Sequence, residues 1–145
     1  MRATILPALL AVLLIALPAA AAEETTAPDP RYTWDLTALF PTEAAWNDAR
    51  EDVMASFDAI EARRGTLGES AESLYETYRL VSDTLKKAGR VYVYASLSAD
   101  ENLRDSATQE RRQTAQIMFA RFNESTAWMQ PELIEVGREV IEYYV

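Results

Sequence analysis

Carboxylates are the side chains in this chain best suited to chemistry. Glu72 and Glu76 lie four residues apart and Glu139 and Glu142 three apart, so each pair shares one helical face and could divide general-acid and general-base work. The block Asp100-Glu101-Asn102 with Asp105 offers oxygen ligands of the kind calcium takes, without the spacing, glycine and terminal Glu of an EF-hand loop. Both groups also have a plainer reading, since the solvated face of any acidic helix carries such pairs and Asp-rich blocks cap helices. Tyr75, Tyr78, Tyr92 and Tyr94 could line a groove, although the spacing of Tyr92 puts it on a buried face. Asn123-Glu124-Ser125 fits the glycosylation sequon but falls inside an expected helix.

What is missing limits the chemistry more sharply. The 145 residues include no Cys and no His, which removes thiol chemistry, disulfides, histidine relays and Cys/His zinc sites. No nucleophile has a base within motif reach, and no glycine loop could cradle a phosphate. A small enzyme working with carboxylates and tyrosines alone has no supporting motif. No residue is therefore assigned a catalytic, cofactor-binding or metal role, and the residues alone describe a helical module without an active site.

The elements that would position these side chains are helices. Thr42 can cap a first helix whose apolar stripe is Trp46, Ala49, Val53, Phe57 and Ile60, with Phe40 or Pro41 placed to staple against Trp46 and Gly65 as its stop. Ser70 can cap a second helix. Its apolar positions Leu74, Tyr78, Val81, Leu85, Ala88, Tyr92 and Ala95 repeat by four and three, and Asp83 and Lys87 can form an i,i+4 pair. Val91 to Tyr94 has strand propensity, but no second strand exists to pair with it, so the helix is expected to run to about Leu97. Gly89, inside that helix, would let a neighbouring helix approach closely.

Residues 98–104 read as a polar loop. Asp105 or Ser106 can then cap a third helix, Ser106-Ala107-Thr108-Gln109 also fitting a capping box. Ala115, Met118, Phe119, Phe122 and Met129 mark its buried side, with Trp128 beside them, and Pro131 should end or kink it. A new helical pattern over 135–145 stops without a cap, as a cut chain or one awaiting a partner would. The fold expected is all-α, an antiparallel up-down-up bundle of three long helices plus a short, incomplete C-terminal helix.

Residues 1–22 read as a secretory signal: Arg2, an apolar core over 5–17, then Ala20-Ala21-Ala22. An uncleaved anchor is the competing reading, because about 20 apolar residues can span a bilayer. Residues 23–31 have linker composition, and structure is expected over 32–145. After cleavage the chain would be exported, periplasmic or secreted, with no stable membrane anchor. A formal net charge of −9, with no basic cluster beyond Arg63-Arg64, Lys86-Lys87 and Arg111-Arg112, argues against nucleic acid or an anionic membrane as partner.

Three stretches carry a family likeness. Tyr32-Thr33-Trp34-Asp35-Leu36-Thr37-Ala38-Leu39-Phe40-Pro41, then Tyr94-Ala95-Ser96-Leu97 with Asp100 and Arg104-Asp105, and then Pro131-Glu132-Leu133 together resemble the N-terminal lobe of oligoendopeptidase F, a thimet-oligopeptidase-like zinc peptidase family. The resemblance covers residues 32 to about 145. It implies an all-helical lobe walling one side of a closed channel for short peptides, truncated before the catalytic domain. It also implies zinc in the full-length family, held by an H-E-x-x-H helix that this chain does not contain. Two departures stand out: the export signal, in a largely cytoplasmic family, and Ser106 where Pro would open the third helix. The function expected is that of the N-terminal lobe of an exported oligoendopeptidase F-like peptidase, inactive alone, with the missing catalytic domain and short peptides as partners. The alternative is a free-standing exported helical binding or adaptor protein.

Overall fold

Helix caps read from the sequence set the frame. In a computed structural model that describes residues 33–144, Thr42 accepts from the Ala45 amide (3.1 Å), Ser70 from Ser73 (3.0 Å) and Asp105 from Ala107 (3.0 Å). Each closes an otherwise orphan donor in a first helical turn. The export signal expected over 1–22 and the leader over 23–31 lie outside the described residues, as do Tyr32 and Val145. A short 3-10 turn, Leu36–Ala38, precedes α1 (Glu43–Glu61), α2 (Ala71–Glu101), α3 (Ser106–Thr126), α4 (Met129–Val136) and α5 (Arg138–Tyr144). The protein is all-α, and no strand occurs among the described residues. Nor is any described helix long and apolar enough to cross a membrane.

Cross-helix contacts give the topology. The start of α1 meets the end of α2, where the Trp46 indole Nε1 donates to the Val91 carbonyl (2.9 Å). Tyr92 of α2 packs edge-on against Phe119 of α3 (5.2 Å), and farther along Gln109 Nε2 donates to the Ala99 carbonyl (3.2 Å), so α2 and α3 run antiparallel. Phe57 late in α1 meets Phe122 late in α3 (6.2 Å), which makes those two parallel. The result is the expected up-down-up bundle, with Trp46, Val53, Phe57, Ile60, Val91, Met118 and Phe122 in its core.

Several boundaries differ from the sequence reading. Helix α2 runs to Glu101, past Leu97, so the connecting loop is 102–105 and not 98–104. Ser98 and Ala99 are buried, and the Ser98 hydroxyl donates back to the Tyr94 carbonyl (2.8 Å), so this polar residue is satisfied inside the helix. Asp105 is the cap of α3, which leaves the box at Ser106 unused. Lys86, not Lys87, pairs with Asp83 (3.2 Å). Apart from its own helix backbone, nothing lies within 4 Å of where a side chain at Gly89 would begin, so no neighbouring helix uses the close approach that a glycine there could allow.

The buried face of α2 is also turned in part. Leu74, Val81, Ala88, Tyr92 and Ala95 lie where the four-three repeat put them, Ala88 and Ala95 fully buried and the other three half-buried against the core. Tyr78 and Leu85 are exposed instead, and Thr77, Thr84 and Val91 are buried members that the repeat did not include. The Thr77 hydroxyl donates to the Ser73 carbonyl (2.8 Å), so threonine enters the seam without an orphan donor. Small side chains fit a three-helix contact line, while Tyr78 and Leu85 are displaced to its flank.

Pro131 neither ends nor kinks α3, which stops at Thr126. It sits in the first turn of α4, where its missing N–H has no helical partner to lose. The short C-terminal helix is present as α5 and begins at Arg138, because Gly137 breaks the chain at φ 84, ψ 154, a conformation essentially restricted to glycine.

Candidate functional site

The three motif stretches are far apart in the chain, and the fold uses them at two ends of the bundle. At the first end, residues 34–40 strap across the close of α2. Phe40 meets the Tyr94 ring edge-on (5.6 Å), and Trp46 stacks on that ring with 25° between planes, so Phe40 and Trp46, expected to staple together, both pack on Tyr94. The Arg111 guanidinium lies over both Trp46 (5.7 Å) and Tyr94 (5.9 Å) and pairs with Glu43 (2.6 Å). Its Nε finds no hydrogen-bond partner, and the aromatic faces stand in for one. Arg90 covers the Phe40 ring (5.7 Å) and donates to the Leu39 carbonyl (3.0 Å).

The rest of this end is polar. The Trp34 amide donates to the Glu101 carboxylate, and Arg112 reaches the Ser96 carbonyl (2.8 Å) and the Asp100 carboxylate. Asp35 accepts from the Thr37 hydroxyl (2.5 Å) and the Thr37 amide (3.1 Å). The hydroxyl first and the amide second hold the Asp35 carboxyl below its ordinary value of 3.8. Asp100, Glu101, Asn102 and Asp105 thus serve the strap, Arg112 and the α3 cap. Asn102 accepts from the Arg104 amide (3.1 Å).

At the other end, Glu132 of α4 accepts from the Gly65 amide (2.7 Å) with one carboxylate oxygen and the Leu67 amide (2.8 Å) with the other. The Tyr144 hydroxyl donates to the Gly68 carbonyl (2.8 Å), and Val136 packs so closely on Gly68 that a Cβ there would come within 2.9 Å of it. These bonds tie α4 and α5 to the turn between α1 and α2. Beside them, Leu74, Tyr75 and Tyr78 of α2 face Leu133, Ile141 and Tyr144 across a cavity of ≈ 460 Å³.

In each carboxylate pair singled out earlier, one member is taken up by an arginine on its own helix. Glu76 pairs with Arg79 (2.7 Å) and Glu142 with Arg138 (2.6 Å), while Glu72 and Glu139 are exposed. Among the described residues no group of three or more acidic, His or Cys side chains could hold a metal ion. Of the four tyrosines, Tyr75 and Tyr78 line the cavity, Tyr92 packs on Phe119 and Tyr94 anchors the strap. Asn123 is exposed on α3, and the buried Ser125 of the sequon donates to the Phe122 carbonyl (2.9 Å) within that helix. Sequence reasoning missed Arg90, Arg111 and the double contact of Glu132. The pair Arg111-Arg112 was visible only as a basic cluster too small for nucleic acid.

The chain resembles several curated proteins over about three quarters of its length. Group B oligopeptidase PepB of Streptococcus agalactiae is 30% identical over 109 residues, 75% of this chain and 18% of the relative. Oligoendopeptidase F, chromosomal, of Lactococcus lactis subsp. cremoris is 32% identical over 104 residues, 71% of this chain and 17% of the relative. Oligopeptidase PepF of Bacillus subtilis is 26% identical over 113 residues, 78% of this chain. The chain spans less than a fifth of the length of these relatives. No family profile matches it, and no solved structure does. By these matches the chain is similar to one part, less than a fifth in length, of proteins of the oligoendopeptidase F family.

Proposed function

We propose that residues 32–145 form the N-terminal helical lobe of an exported, oligoendopeptidase F-like zinc peptidase that hydrolyses short peptides. The observation that carries this reading is the match to oligoendopeptidases over 71% to 78% of the chain but only 17% to 18% of their length. The lobe walls one side of a peptide channel, and the chemistry resides in the larger part of the family-length protein. The residues here do not fit a catalytic zinc site, which draws on His, Cys and carboxylate donors: the chain has no His or Cys, and no acidic group of three converges among the described residues.

Reading the coding DNA past Val145 tests this. The frame is expected to continue into an H-E-x-x-H helix, and the full product to cleave short peptides in a chelator-sensitive way. The 145-residue chain alone should bind no stoichiometric zinc and cleave nothing. A natural stop at Val145 would leave the free-standing helical adaptor as the reading, and tight one-to-one zinc binding by this chain would overturn both. Export is checked separately, by N-terminal sequencing of the protein recovered outside the cytoplasm, with Glu23 expected first.

A further inference from the structure

The cavity between α2 and α5 is one part of a longer apolar groove. Tyr78 and Leu133 also line a second cavity of ≈ 430 Å³ that reaches Met129 and Ile134, and Leu133, Ile134 and Ile141 line a third of ≈ 450 Å³ beside Gly137. Large apolar side chains along it stand in solvent, Ile134 at 73% and Tyr75 at 63% exposure. A continuous apolar strip of this kind on a monomer marks a docking surface, and a groove between helices is the shape that receives another helix.

Charge specifies the occupant. Of the basic residues in α2, α4 and α5, Arg79 and Arg138 are each already paired, with Glu76 and Glu142, while Lys86, Lys87 and Arg90 lie farther along α2 and line none of the three cavities. Glu72, Glu135 and Glu139 are exposed and form no ion pair among the described residues. A second copy would bring the same unpaired carboxylates against each other across a two-fold axis, in a chain that already carries −9. We propose that the groove binds an amphipathic helix with an apolar stripe and Lys/Arg flanks, supplied by the larger part of the family-length peptidase. Only the source of the helix rests on the function proposed above.

The test uses the 145-residue chain and labelled 18-residue synthetic helices, read by fluorescence anisotropy. A Leu/Lys amphipathic helix should bind at least tenfold more tightly than a Leu/Glu helix with the same stripe or a scrambled Leu/Lys peptide. Tyr78→Arg and Tyr75→Arg, both at exposed positions, should each weaken it at least tenfold with unchanged circular dichroism. Ile117→Arg, on α3 and outside the groove, should not. Equal binding of the scrambled peptide, or indifference to both tyrosine substitutions, overturns the docking site, as does a dimer in light scattering that Tyr78→Arg dissolves. For the source, an array of overlapping 18-residue peptides covers the Lactococcus lactis oligoendopeptidase F outside the matched stretch. It should capture the chain at basic amphipathic segments, and no capture overturns that assignment while leaving the peptidase reading to its own test.

Discussion

The two ends of the bundle are fastened by different physics. At the strap end, Phe40, Trp46 and Tyr94 interleave with Arg90 and Arg111, so apolar area, ring geometry and cation–π attraction act on one cluster. At the latch end, α4 enters the core only through Met129 at its start and Val136 at its end, and α4 and α5 are otherwise held by directional polar bonds from Glu132 and Tyr144 and by the tight contact of Val136 on Gly68. The first end is part of the core and should melt with it. The second is a short appendage whose apolar side faces solvent, and it should open by itself at a lower free energy.

Substitutions can break this contrast. The largest effect is expected from Trp46→Ala, which removes a buried indole and its bond to the Val91 carbonyl; a loss of about 3–5 kcal/mol in global stability should appear in urea unfolding. Glu132→Ala should cost about 2 kcal/mol, with amide-exchange protection lost in α4, α5 and the 65–68 turn but kept at the strap. If protection falls equally at both ends, the two regions are one cooperative unit. Gly89→Ala should act in the opposite direction, stabilising by about 1 kcal/mol in the same unfolding assay, because the added methyl meets open space in a helix interior.

The smallest effect concerns Asp35. Its folded pKa is depressed, so its contribution is complete above the ordinary carboxyl range and disappears as pH falls through the lowered value. An NMR titration should place its midpoint below 3.8 in the folded chain, and Thr37→Ala should bring it back toward that value.

Much of this was legible in the sequence because it is local. Thr42, Ser70 and Asp105 need only a neighbour two or three residues away to act as caps, and the α1 stripe was readable because one face of that helix is packed. The face of α2 was misread at Tyr78 and Leu85, since periodicity counts apolar side chains and the seam there is built from Thr77 and Thr84 one residue earlier. Arg111 and Glu132 escaped because their partners are 65 to 68 residues distant or are aromatic faces, and no spacing rule encodes either. The apolar groove was half visible: Tyr75 and Tyr78 were candidates, but their opposing wall depends on the break at Gly137.

The threonine and alanine seam of α2 has a thermal consequence. Thr77, Thr84, Ala88, Ala95, Ser98 and Ala99 hide little hydrocarbon from water for the length of helix they occupy. Heat capacity on unfolding follows newly wetted apolar surface, so this bundle should fall below the usual increment of about 12–15 cal/mol/K per residue. Its stability would then vary gently with temperature, a flat dome that resists both cooling and moderate heating.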